Sequence, residues 1–498
     1  YVPAQVSRFY SKHRFQPVWT QEQKLTPQIF ALLDALRSAG QEGFDPVDYH
    51  FVAITVLMRQ LGTAAGQFSD AESVAEFDLL ATDAFFTLAT HYHRGRVNPD
   101  NLYADWYRAR PQEDLSSLLD IALFTGRVKQ ALQSLLPPQK GYKMLRDALH
   151  SYRRIAVQGG WNKIPPGEKM QLGSRGPRVR ALKARLAVTG DLISPGPGDR
   201  FDSSVEFAVK YFQQRTGLHI DGVAGPDTLA MLNVPVQQRI EQIEVSMERW
   251  RWLPRDLGQI YVLINIAGFE LYLIEMGQTV MSSRAVVGTA YYQTPVFSDR
   301  IRYLVLSPSW DIPPDIAVDE IVPRIRERPQ YAKQRKIVVL ARQNGTWKPI
   351  NPNTINWSNV NLDPAYFPFH LRQEPGPRNP LGRLKFMFPN GYSVYLHDTP
   401  AKGLFNRKPR TFSHGCIRVE KSLELAERLL EGDETWTKRA ILTALKQGKE
   451  RTIHLPRPVN IHIEYWTAWV NEKGVLQFRK DIYNRDRPVM RALRMRPD

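Results

Sequence analysis

Apolar residues recur at helical spacing through roughly the first 160 positions. Ile29, Leu32, Leu33 and Leu36 form one face of a helix that Thr26-Pro27 starts and Gly40 stops. A longer stripe runs from Phe77 through Leu80, Ala84 and Leu88 to Tyr92, and a third covers Tyr142 to Ile155. Between Leu172 and Asn233 come two more helical faces, Val179-Leu182-Leu186 and Val205-Val209-Phe212. The loop Asp221-Gly222-Val223-Ala224-Gly225-Pro226 then leads into a short segment carrying Leu229 and Leu232.

After Arg249-Trp250-Arg251-Trp252-Leu253-Pro254 closes a connecting helix, the period shortens to that of strands. Tyr261 to Ile266, Glu270 to Glu275, Thr279 to Val287 and Ile301 to Leu306 are β-rich, and turns at Gly268 and Gly277 predict an antiparallel meander. From Trp310 to Asn390 the rhythm breaks into Pro, Arg and Asn with aromatics at Trp347, Trp357, Tyr366 and Phe367, which predicts a lid or binding loop inserted in the domain. The strand pattern resumes at Ser393 to Leu396 and ends at Cys416. Ser422 is placed to cap a helix, a second helix is expected over Trp436 to Leu445, and short strands close the chain, with Trp466 and Trp469 read as packing residues.

The expected class is α+β and multidomain. The boundaries read as a helical region at 1–165, a three-helix module at 166–235, a connecting helix at 236–255, a β-rich domain at 256–456 with its insertion at about 311–390, and a tail at 457–498.

Lys and Arg number 67 against 50 Asp and Glu, a net charge of +17 that favours anionic partners. Nucleic acid is set aside, because no RNA-binding aromatic motif, zinc-finger spacing or phosphate-binding glycine loop is present. No stretch reaches the length of a membrane span. The chain opens at Tyr1 with no initiator methionine, which leads to the expectation that an upstream targeting or anchor segment has been removed.

The chemistry centres on Ser413-His414-Gly415-Cys416-Ile417-Arg418, which holds the one cysteine of 498 residues, 19 positions after His397. A thiol becomes a strong nucleophile as thiolate, and a nearby imidazole can take its proton and hold the resulting pair. If Ser413 to Cys416 runs extended, His414 and Cys416 share one face, and Gly415 leaves the backbone open to a ligand. With no second thiol for a disulfide, these features point to a catalytic cysteine. Zinc is the weaker reading, since one Cys and two His lack a fourth ligand. The expectation is no metal and no cofactor.

Two resemblances follow from these residues. Gly176-Pro177-Arg178-Val179-Arg180-Ala181-Leu182, Phe212-Gln213 and the Asp221 loop resemble a peptidoglycan-binding domain over about 60 residues. The meander, His397 and the Ser-His-Gly-Cys cluster resemble the catalytic domain of the L,D-transpeptidases, in the large multidomain branch of Gram-negative bacteria. Supporting matches are Asn265 to Leu271, Val286-Val287-Gly288, Thr294-Pro295 and Ser307-Pro308-Ser309-Trp310 with Ile312-Pro313.

The L,D-transpeptidase resemblance implies Cys416 as nucleophile and His397 as base, oriented by the backbone carbonyl of Asp398, with His414 in support. It implies an oxyanion hole at the N–H groups of Gly415 and Cys416, and Arg418 meeting a substrate carboxylate. Ser413, Tyr395 and Asp398 complete the expected substrate-binding set. Asp398 departs from the Gly or Ser common in the family, and its carboxylate is expected to raise the pKa of His397. The implied activity joins peptidoglycan stem peptides 3-to-3 through a thioester, with release of a terminal D-alanine. An L,D-carboxypeptidase using the same cysteine and a non-catalytic wall-binding scaffold are the competing readings. The resemblance further implies acylation by carbapenem-type β-lactams, cell-wall synthesis enzymes as partners, and a periplasmic location with an N-terminal inner-membrane anchor outside this chain.

Overall fold

The computed structural model describes residues 3–22, 24–63, 71–103, 106–107 and 113–495. Two compact units result, one from residues up to Asp256 together with Tyr465 onward, the other from Leu257–Glu464.

The first unit is helical. Pro27–Ser38 starts after Thr26, whose extended backbone lets Pro27 occupy the first turn. The stop comes later than Gly40: a 3₁₀ turn continues over Ala39–Glu42, and Gly43 takes the left-handed conformation at φ 85°. Ala71–Arg94 buries Phe77, Ala81, Ala84, Phe85 and Leu88 in the core of this unit. Helices Pro177–Val188, Ser203–Arg215 and Pro226–Leu232 enclose a second core of Val179, Leu182, Val205, Val209, Phe212 and Leu232. The Gln213 amide fastens the glycine loop by donating to Asp221 Oδ1 at 2.8 Å and to the Val223 carbonyl at 3.0 Å, while its oxygen accepts from Gly222 N–H at 2.9 Å.

The Arg-Trp-Arg-Trp run ends helix Val236–Arg251 as a packing device. Trp250 stacks on Trp466 at 4.4 Å, and buried Arg249 pairs with Asp486 at 2.6 Å. Residues from Tyr465 on are therefore integral to this unit. The expected boundary at 456/457 shifts because strand Arg451–Glu464 runs straight through it and lies inside the second unit.

In the second unit Ile260–Asn265, Glu270–Glu275 and Gln278–Gly288 form the predicted antiparallel meander. At the first turn the left-handed residue is Phe269 (φ 56°), beside Gly268; at the second Met276 and Gly277 share it. The sheet closes on itself. Leu384–Met387 adjoins Leu396–His397, then Ile417–Val419, Gln278–Gly288, the rest of the meander and Arg451–Glu464, and Val296–Leu306 returns to Leu384–Met387. Closure leaves no exposed edge along this circuit.

The insertion is a folded element where a loop was expected. Its sheet runs Thr346–Ile350, Ile337–Gln343, Phe369–Gln373, Trp310–Ile312, and Val322, Ile325, Val339, Trp357 and Leu371 pack into a core of its own. Short apolar runs at Val322 and Val339, scattered among Arg and Pro, were enough to build it.

Candidate active site

Lys385 and Met387 on one strand, His397 on the next with Tyr395 just before it, and Arg418 on the third with Cys416 just before it alternate in sequence, and all six line one face. They line a cavity of about 830 Å³ together with Trp310, Glu320 and His414.

The run from Ser413 to Cys416 is bent, against the expectation of continuous extension. Strand Thr411–Ser413 stops, Gly415 adopts φ 104°, and the strand restarts at Ile417. That φ favours glycine. Ser413 fixes the bend: its Oγ donates to the Cys416 carbonyl at 2.5 Å and accepts from Gly415 N–H at 3.3 Å. Ser413 is thus a brace of the loop that also lines the cavity. Thr294 holds the loop from the other side, its Oγ1 donating to the Gly415 carbonyl at 2.8 Å.

His397 is 3% exposed and its Nδ1 lies 2.5 Å from the carbonyl of Asp398. A carbonyl only accepts, so Nδ1 carries the proton and Nε2 keeps its lone pair. Burial, then the Arg418 charge, depress the imidazole pKa to about 3. The expected rise from Asp398 is therefore overridden. That carboxylate is turned outside the cavity, accepting from Lys402 Nζ at 2.5 Å, Arg383 N–H at 2.9 Å and Ser422 Oγ at 3.0 Å. Asp398 serves the site through its main chain, and Ser422 is bound to it rather than capping the helix.

Burial pushes the Cys416 thiol up, while Tyr395, through its backbone and hydroxyl, and the charges of Lys385 and Arg418 oppose that rise. Burial thus disfavours both the thiolate of Cys416 and the protonated form of His397. Cys416 Sγ lies 3.7 Å from the carbonyl of Ser393. Arg418 is held below its ordinary pKa by burial, and among the described residues its buried Nε has no hydrogen-bond acceptor. His414 leans on Tyr292, with ring centres 4.6 Å apart, and its Nε2 reaches Glu320 of the insertion at 3.0 Å.

Residues 259–441 match the family model of the "L,D-transpeptidase catalytic domain". The chain carries an L,D-transpeptidase domain. Residues 175–232 match the model "Putative peptidoglycan binding domain", and residues 4–149 the model "Scaffold domain". A protein named "Putative L,D-transpeptidase" from Haemophilus influenzae (strain ATCC 51907 / DSM 11121 / KW20 / Rd) is 33% identical over 250 residues, which cover 50% of this chain and 49% of that protein. The chain thus spans about half the length of this curated relative. Among solved structures, the L,D-transpeptidase from Xylanimonas cellulosilytica DSM 15894 is 18% identical with a TM-score of 0.17, over 60% of this chain and 99% of that one. The L,D-transpeptidase from Stackebrandtia nassauensis is 14% identical with a TM-score of 0.23, over 60% and 97%.

Within this L,D-transpeptidase domain the structure brings Cys416, His397, Tyr395, His414 and Arg418 to one cavity, and gives Ser413 and Asp398 supporting places. Sequence reasoning missed Lys385 and Glu320, and quoted Thr294 as a family match without a place at the site. A lysine between buried Leu384 and Phe386 was a usable signal, since charge is rarely placed on a half-buried strand without a task.

Proposed function

We propose that the chain cross-links peptidoglycan stem peptides 3-to-3 as a cysteine acyltransferase. One arrangement carries this reading: a lone thiol and an imidazole with a free Nε2 share a cavity with Arg418, a cation with an unsatisfied donor. Cys416 Sγ attacks the carbonyl of the third stem residue, and its proton passes to His397 Nε2. The C–N bond to D-alanine breaks as that proton moves to the leaving amine, and a thioester remains. The side-chain amine of an acceptor stem then attacks, gives its proton to His397, and the C–S bond breaks to return the thiol.

Arg418 would bind the donor's carboxylate by charge-assisted hydrogen bonds. Gly415 N–H already donates to Ser413, so the oxyanion would fall to Cys416 N–H, which has no acceptor among the described residues. A carboxylate at Arg418 would also cancel the charge that depresses His397, making the imidazole a better base when donor is bound. On this reading the enzyme works in the periplasm, where its polymeric substrate lies, and carbapenem-type β-lactams acylate Cys416.

The test is mass spectrometry of products from disaccharide-tetrapeptide, with Cys416→Ala alongside. A dimer lighter than two substrates by one free D-alanine, absent in the variant, supports the proposal. Tripeptide monomer in its place would assign the thioester to water, and no Cys416-dependent product or carbapenem adduct would remove the enzyme reading.

A further inference from the structure

Lys385, His397 and Arg418 form one row across three strands. Lys385 is the register partner of His397 in an antiparallel pair, and His397 is that of Arg418 in a parallel pair. All three line the cavity, so the imidazole stands between two cations whose Cα atoms lie about 10 Å apart at ordinary strand spacing. The Lys385 Nζ sits 3.9 Å from the centre of the Tyr395 ring, a contact that holds the cation without neutralising it.

Among the described residues neither Lys385 nor Arg418 forms an ion pair. The carboxylates on the cavity wall are engaged elsewhere: Asp311 with His370 at 2.9 Å and Arg372 at 2.7 Å, and Glu320 with His414 at 3.0 Å. Asp315 lines the insertion side and pairs with neither cation. Cations withdrawn from water without partners are costly, so this row favours a ligand that brings two negative charges.

We propose that Lys385 is a specificity residue that binds a side-chain carboxylate on the third residue of the donor stem, while Arg418 takes the donor's terminal carboxylate. This rests on the proposed function and narrows its donor class. The third residue is then a diamino acid that keeps a free carboxylate at the end of its side chain, as against one that ends in the amine alone. The scissile bond lies between these two carboxylates as His397 lies between the two cations. Burial lowers the Lys385 pKa, and a bound carboxylate favours its ammonium form.

The test is titration calorimetry of disaccharide-tetrapeptide binding to the full chain carrying Cys416→Ala. Two donors are compared that differ only at the end of the third residue's side chain, one with a carboxylate and one with a carboxamide. The acid should bind about tenfold tighter than the amide, the size expected for one charge-assisted hydrogen bond. Lys385→Met should erase that preference by weakening the acid alone, and Lys385→Arg should restore it. Lys385→Gln serves as a second neutral variant should Met not fold, with thermal melting as the check.

Equal affinity for the two donors in the parent chain, equal losses for both in Lys385→Met, or no binding of either would each overturn the proposal. Binding needs no turnover, so a chain with Cys416 intact that makes no cross-links, while the Lys385-dependent preference holds, would sink only the proposed function.

Discussion

Thr294 joins two backbone segments at the loop before Cys416: its Oγ1 donates to the carbonyl of Gly415 at 2.8 Å and accepts from Gly288 N–H at 2.9 Å. The main chain that aims Cys416 is thereby tied to the end of the meander. Thr294→Val preserves shape and removes both bonds in a fully buried place. The expected cost is about 1–3 kcal/mol of stability. Turnover should fall more than substrate affinity, and steady-state kinetics beside thermal melting checks both.

Asp398 separates main-chain from side-chain roles. Its carbonyl orients His397, while its carboxylate is held below the ordinary range by Lys402 and Arg383 N–H in spite of burial. Asp398→Asn should retain most of the turnover of the folded enzyme and lower the melting temperature through loss of charge-assisted bonds at a buried site. A collapse of kcat with unchanged melting would show that the carboxylate itself acts on the imidazole.

Acid should weaken the fold in a definite window. His397 and His91 are both held near pKa 3, in each case chiefly by burial, against an ordinary value of 6.5. The unfolded chain therefore binds protons that the folded chain refuses, so stability is complete above about pH 6.5 and falls as pH drops toward 3. His397→Gln removes one of these groups, and its melting temperature should decline less steeply across that interval than wild type. Parallel curves would contradict the burial argument.

The insertion touches the loop before Cys416 through Glu320 and His414 at 3.0 Å. Both side chains are partly exposed, so the pair adds little stability. Glu320→Ala should leave the melting temperature nearly unchanged but lower turnover about tenfold, through loss of orientation of the loop before Cys416. A large drop in stability would instead mean that the pair holds the insertion in place.

Much of this protein is legible in its local sequence. Helices at Phe77 to Tyr92 and Val205 to Phe212 and the meander from Tyr261 to Val287 follow from periodicity and turn residues, and the sequence singled out Cys416 and His397, which line one cavity. These are local properties, and local rules of packing and chain geometry suffice for them.

What the sequence alone could not supply depends on contacts between residues far apart in the chain. Thr294 on Gly415, Glu320 on His414 and Lys385 beside Tyr395 arise from sheet register and closure, which no local pattern encodes. The same holds for the depressed pKa of His397 and the outward turn of the Asp398 carboxylate. A side chain's charge state depends on what surrounds it in space, and only the folded sheet brings that surrounding together.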